Sequence, residues 1–377
     1  MAVSAPGALS LFLELAAIPS PSGDERAVTD RVTAKLRGLG LDVEEDDAGS
    51  RIDSNAGNLL CRLPGRVEGG RPLFFCAHLD TVPPQGPIEP VIENGVVRNA
   101  AGTILGADNK SAVASMIEAA RRIVAEGRPH GGVELLFTQK EEVGLLGAAA
   151  FDHTRLEAEL GFVYDQAAPI GEVIAGAPWA RTMSVRFHGR PAHSGMVPEE
   201  GRSAIAAAAR AVADLRLGRL DEETTANVGT IQGGSARNIV PEWCVLEAEA
   251  RSHDQRTLAD VVQEMLDTFA YAASVAECTL ETEVSEAYPG YRFREGEPIV
   301  QLALSALERC GHEARLALTG GGADSNVFNA RGIPCLNVAN GMMEIHTADE
   351  YIAADDLERM VDVTLALVEG ARNGAQP

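Results

Sequence analysis

Apolar residues recur along the first third of the chain in two patterns. Over Ser111–Ala125 the apolar positions Val113, Met116, Ile117, Ala120, Ile123 and Val124 share one helical face, which predicts an amphipathic helix. Ala8–Ala17 and Asp24–Leu39 also read as helices, the second opened by Ser22-Gly23-Asp24 as a cap. Short, largely apolar runs at Asn58–Leu63, Leu73–Ala77, Val133–Thr138 and Gly161–Tyr164 predict buried strands, with Pro64–Gly70 as a glycine-rich turn. Buried strands interleaved with helices imply a mostly parallel sheet with helices on both faces, an α/β fold. Such sheets bind ligands beyond the carboxyl ends of their strands. Asp80, Glu141 and Asp165 fall just after such ends.

The pattern changes near residue 178. Trp179–His188 alternates as a half-buried strand, Ser203–Leu217 is an alanine-rich helix, and Ala226–Gly233 and Cys244–Arg251 are strands. Thr257–Ala272 reads as a helix and Thr279–Ser285 as a last strand. This order predicts an α+β sandwich, two helices on one face of an antiparallel sheet. The first pattern resumes at Pro298–Cys310, Pro334–Val338 and Asp355–Glu369. The expected organisation is a discontinuous domain, 1–177 and 293–377, interrupted by an inserted domain at 178–292.

At 377 residues the chain is long for one core, which agrees with two domains. An apolar content of 45% is that of an ordinary globular protein, and no run reaches the ~20 residues of a membrane span. Met1-Ala2-Val3-Ser4-Ala5-Pro6 lacks the basic and apolar regions of a secretory signal. The six cysteines are widely spaced in mostly apolar contexts, which predicts buried free thiols and a cytoplasmic location. A net charge of −23 argues against nucleic acid or anionic membranes as partners.

The acidic and histidine side chains add chemistry to this frame. In Phe74–Pro83 a strand delivers His78 to its end, and Asp80 is spaced to fix the tautomer of the ring. In Leu105–Ser111 a glycine turn leads to Asp108 at the mouth of a helix, where a carboxylate can bridge two cations. In Thr138–Gly144 the adjacent Glu141 and Glu142 are costly neighbours unless a dication compensates one of them. Asp165 and His346 complete the set. Two imidazoles and three carboxylates, with Glu141 left over, suit a pair of divalent cations and a base.

Together these segments resemble the di-zinc exopeptidase and amidohydrolase family that includes peptidase T, glutamate carboxypeptidases, aminoacylases and acetylornithine deacetylase. The peptidase T-like branch is the most similar, through Leu217–Asn227 (LGRLDEETTAN) and Gly320–Asn329 (GGGADSNVFN). The resemblance implies that Asp108 bridges two metals, that His78 and Asp165 complete one site, and that Glu142 and His346 complete the other. It implies Glu141 as general base and acid, Asp80 as orienter of His78, and a cis peptide bond after Asp108. The inserted domain resembles that family's lid and dimerisation domain. In it, Gly189–Gly195 matches a histidine motif in which His193 polarises the scissile carbonyl, often from the other subunit of a homodimer. Asn238, Arg251, Gly321 and Gly322 match positions that contact substrate. One position departs: where typical peptidase T carries a basic residue in the glycine loop, this chain has Thr319-Gly320.

The implied activity is metal-dependent hydrolysis of an amide bond in small peptides, as a tripeptide aminopeptidase-like exopeptidase. The implied cofactors are two Zn2+ ions, with Mn2+ or Co2+ as alternatives. An N-acyl amino acid deacylase, desuccinylase or carboxypeptidase of the same family shares every catalytic residue. An inactive metal- or peptide-binding protein is the remaining alternative, although such a relative is expected to lose Glu141 or a ligand.

Overall fold

The computed structural model describes residues 7–372; the Met1–Pro6 stretch, which bears on a leader, lies outside them. The chain divides into two compact units. One combines residues up to Gly176 with those from Arg292 onward; the other is Ala177–Tyr291.

The first unit is built on a large mixed sheet. Its strands run in the order Asp42–Glu45, Leu59–Leu63, Val133–Thr138, Leu73–His78, Leu160–Gln166, Cys335–Ala339 and Glu172–Ala177, with Arg315–Leu318 beside the last. The middle four strands are mutually parallel. Leu59–Leu63 and Asp42–Glu45 on one side, and Glu172–Ala177 on the other, join antiparallel. The sheet is therefore parallel at its centre and antiparallel at its flanks. Every residue of Leu73–His78 and Val133–Thr138 is buried, which is why these strands read as largely apolar runs without alternation. His78 lies opposite Thr138 and Cys76 opposite Val163, so the carboxyl ends of three strands come level.

The helices Ala8–Ala16, Ala107–Glu126, Pro298–Arg309 and Ala354–Arg372 share one core with this sheet. Phe75 is fully buried there, with its ring 5.9 Å from Phe162 and 5.8 Å from Tyr164. A second, antiparallel sheet joins Met342–Met343, Tyr351–Ala353, Val96–Asn99 and Pro90–Glu93. It fixes both ends of the loop that carries His346.

The second unit is a five-stranded antiparallel sheet in the order Gly218–Arg219, Thr224–Gly233, Trp243–Ser252, Trp179–His188, Thr279–Tyr288. Met183, Val185 and Phe187 alternate inward and pack with the helices Ala204–Asp214 and Gln255–Val275. Phe187 and Phe269 meet edge to face at 6.4 Å. Four cysteines are buried, whereas Cys278 and Cys310 are only half-buried; all six are free thiols. Among the described residues no helix is long and apolar enough to cross a membrane.

Candidate metal centre

Five separate segments of the first unit deliver side chains to one place at the carboxyl end of its sheet. His78 is the last residue of its strand, and Glu141 and Glu142 follow Val133–Thr138 by way of Gln139 and Lys140. Asp165 lies within Leu160–Gln166. Asp108 sits at the start of Ala107–Glu126, where Asp108 and Asn109 depart from helical geometry and the bond between them is cis, as the resemblance implied. Gly106 enters this turn at φ +76, a conformation suited to glycine. His346 lies in the loop between Met342–Met343 and Tyr351–Ala353 with φ 64, and Lys140 has φ 50. Left-handed non-glycine residues of this kind cluster at functional sites. The Lys140 ammonium stays in place by donating to the carbonyl of Ile52 at 2.9 Å.

The donor atoms fall into two groups that share Asp108. His78 Nε2 lies 3.0 Å from Asp108 Oδ1 and 3.7 Å from Asp165 Oδ1. His346 Nε2 lies 3.1 Å from Asp108 Oδ2 and 3.0 Å from Glu142 Oε2. One carboxylate thus offers one oxygen to each cluster. Glu141 is buried, and its carboxylate groups with His78 and Asp165, all three ligand atoms lying within 4.8 Å of one another. The His78 side chain is 2% exposed and that of His346 is 46% exposed, so one cluster is deep and the other opens to solvent.

So many charges in one place perturb one another. Burial, with the Asp108 carboxylate beside it, pushes Asp165 up to about 7. Burial likewise holds Glu141 well above the usual carboxylate range, and Asp165 adds to the effect. Burial alone would raise Asp108, but hydrogen bonds from His346 and His78 outweigh it and hold the group below its usual range. Hydrogen bonds to Asp108 and Glu142 push His346 up to about 10. Carboxylates crowded in this way are good partners for dications, and a mixed nitrogen and oxygen donor set fits Zn2+, Mn2+ or Co2+. The residues present therefore fit a two-metal centre, with His78, Asp108 and Asp165 to hold one ion and His346, Asp108 and Glu142 the other.

Asp80 does more than its spacing suggested. His78 Nδ1 is nearest the Asp80 backbone carbonyl, at 2.9 Å, while the carboxylate stands at 3.4 Å. That carboxylate accepts from Ser22 Oγ at 2.6 Å and from the backbone N–H groups of Glu141 at 2.9 Å and Glu142 at 3.2 Å. It therefore ties the His78 strand end to the Glu141–Glu142 turn. Two buried acids escaped the sequence reading. Asp324 accepts from Thr138 Oγ1 at 2.5 Å and from Cys76 Sγ at 3.6 Å, bracing the strands beneath the site. Glu350, four residues after His346, accepts backbone N–H groups from the Asp108 turn. Their local signals are slight: an acid closing a glycine run, and an acid one helical turn past a histidine.

The positions expected to contact substrate lie apart from these residues in the chain. Gly321 and Gly322 precede the helix Asp324–Ala330 in the first unit, and the Gly321 N–H donates to Thr319 Oγ1 at 3.3 Å. His193, Asn238 and Arg251 belong to the second unit. His193 is exposed and bridges to Ile239, and the Ser194 N–H donates to the Asn238 carbonyl at 3.1 Å, so His193 and Asn238 come together. Arg251 does not join them. It pairs with Ala180 at one end of its strand, forms an ion pair with Glu249 at 2.9 Å, and lies eight residues from Trp243 and the His188 end.

A model of peptidase family M20/M25/M40 matches residues 74–370. The chain is 38% identical to the uncharacterized protein YqjE of Bacillus subtilis (strain 168), over 96% of this chain and 98% of that one. The solved aminopeptidase PepT of Bacillus cereus is similar with a TM-score of 0.87 at 38% identity, covering 97% of this chain and 98% of that one. A solved tripeptidase of Staphylococcus aureus is similar with a TM-score of 0.91 at 35% identity, with coverage of 97% and 98%.

Proposed function

The chain is a member of peptidase family M20/M25/M40, and from that premise we propose that it is a peptidase T-like exopeptidase that removes a residue from small peptides at a two-metal centre. One observation carries the reading: Asp108 presents one carboxylate oxygen to each of two histidine–carboxylate clusters, beside a buried Glu141. Two divalent cations, most simply Zn2+ with Mn2+ or Co2+ as alternatives, supply Lewis acidity that activates water and polarises the scissile carbonyl. Glu141 takes the proton of the attacking water and returns it to the departing amine. Asp80 keeps His78 and the Glu141 backbone in register. His193 donates a hydrogen bond to the oxygen that gains charge in the transition state. Asn238, Arg251 and the backbone of Gly321 and Gly322 hold the far end of the substrate.

A homodimer formed through the second unit completes this proposal. Arg251 sits near one end of the strand Trp243–Ser252, and His193 lies beyond the other end. Eight residues of strand span roughly 26 Å at ~3.3 Å each. A tripeptide spans only about 10 Å. One copy therefore does not serve one small substrate with both groups, which supports an exchange of His193 between two copies. The free thiols fit a reducing cytoplasm.

The glycine loop Thr319–Gly322 carries no cation, which argues against strict tripeptide specificity and leaves N-acyl amino acid hydrolysis as the second reading. The deciding experiment is turnover of metal-reconstituted protein on di- and tripeptides with free or blocked termini, beside N-acyl amino acids. Cleavage restricted to peptides with a free amino terminus is expected. Turnover of N-acyl amino acids alone would replace the exopeptidase reading with the deacylase one.

A further inference from the structure

Glu350 is 2% exposed, and no step of the hydrolysis uses it. Its Oε2 accepts from the backbone N–H groups of Leu105 at 2.6 Å and Gly106 at 2.9 Å, and its Oε1 accepts from that of Asp108 at 2.9 Å. These donors belong to the turn that swings Asp108 out of helical geometry. Leu105, Gly106 and Asp108 are buried, so without Glu350 water is not at hand to replace it, and unpaired buried N–H groups are costly. Glu350 also closes the His346 loop. Its own N–H donates to the Thr347 carbonyl at 3.3 Å, and the next residue, Tyr351, is locked in the small sheet opposite Arg98 and Met343.

We propose that Glu350 is a positioning residue that clasps the Asp108 turn to the His346 loop, so that the shared carboxylate meets both clusters before any cation arrives. The proposal rests on reading the centre as a two-cation site. It assigns to one side chain the coupling between two ligands that lie far apart in the chain. A plain loop anchor would support the fold without affecting cation affinity.

The test uses Glu350→Gln. The amide has one oxygen where the carboxylate has two, so at least one of the three N–H groups faces an NH2 group. Metal-free wild-type and variant proteins are titrated with Co2+ and followed by its visible absorption. The wild type is expected to take up two ions, and Glu350→Gln to bind about 10–100-fold more weakly with an altered spectrum, the usual loss for an outer partner of a metal ligand. Glu358→Gln, which removes a carboxylate from the Ala8 N–H and from Arg122 elsewhere in the unit, should leave Co2+ binding unchanged. Wild-type affinity and spectrum in Glu350→Gln overturn the proposal, whatever its melting temperature. A wild type that takes up no Co2+ instead overturns the two-cation reading itself. Amide exchange in the metal-free wild type gives a measurement that needs no folded variant. Slow exchange at Leu105, Gly106 and Asp108 is expected, and fast exchange there would show that no clasp precedes the metal.

Discussion

Replacing Glu141 with glutamine separates catalysis from folding, and the geometry sets the size of each effect. The Glu141, Asp165 and His78 ligand atoms lie within 4.8 Å of one another. Two carboxylates at that distance repel by about 3.5 kcal/mol at an effective dielectric of about 20. Burial acts in the same direction, so the neutral form of Glu141 is favoured in the metal-free protein. A glutamine has nearly the shape and the neutral charge of that protonated acid. Metal-free Glu141→Gln is therefore expected to match the wild type in stability to within about 1 kcal/mol, no more than a typical point substitution costs. Catalysis should respond differently, because an amide cannot carry a proton. A general acid–base group is typically worth ~10²–10⁴-fold, or about 3–5.5 kcal/mol of activation free energy. The assays are denaturant unfolding of metal-free protein, metal analysis after reconstitution, and kcat on a tripeptide. A loss of kcat with two metals retained and unfolding unchanged is the expected pattern. If kcat stayed within a factor of about ten of the wild type, Glu141 would not be the base; if the loss followed a loss of metal, Glu141 would be a ligand.

Asp108→Ala should abolish binding of both cations, whereas His346→Ala should lower the stoichiometry from two to one; atomic emission analysis after dialysis distinguishes the two. Mixing inactive His193→Ala with inactive Glu141→Gln should restore activity if His193 acts across a dimer, and failure to do so despite proven subunit exchange would place its action within one copy. In metal-free protein Asp165 is raised from 3.8 to about 7 and His346 from 6.5 to about 10, so the folded state holds extra protons between the lower and upper values. The stability these groups contribute is complete below their unfolded pKa values and is lost as pH rises through the folded ones. Metal-free protein should therefore melt lower at pH 8 than at pH 5.5, while the Tm gain on adding Zn2+ grows over the same range because ligands must be deprotonated. Phe75→Ala, at a fully buried site stacked on Phe162, should cost about 3–5 kcal/mol in unfolding free energy and leave the metal stoichiometry of the folded fraction at two.

Where both faces of a strand are buried, composition alone betrayed it. The run Leu73–Ala77 is a strand that extends one residue further, to His78, and Ser111–Ala125 lies inside the helix Ala107–Glu126. Short, half-exposed pieces were harder. The hairpin Pro90–Glu93 and Val96–Asn99 has no apolar run, although Asn94-Gly95 between its strands is a turn signal that was there to read, with φ 51 and 79. The antiparallel flanks of the main sheet depend on contacts between distant segments and leave no periodic trace. The same holds at the metal centre. His78, Asp108 and Glu142 stand at element ends that the local pattern marks, whereas His346, in a loop, has only a weak local signal and counts through its place in the set. Glu350 and Asp324 act on backbone and side-chain groups more than 180 residues away. No local rule points to such pairings.

The interrupted path of the first unit has a consequence for how the molecule is made. Its strand Cys335–Ala339 sits between Leu160–Gln166 and Glu172–Ala177, and His346 follows it. Roughly 170 residues must leave the ribosome between the strand bearing Asp165 and its neighbour. At about 5–20 residues per second that takes roughly 10–35 s. Throughout that interval the nascent chain has an apolar strand with an unpaired edge and only part of its metal ligands. Hydrolytic power therefore arrives at the very end of synthesis, and the half-built sheet is the stage at which a chaperone has most to protect.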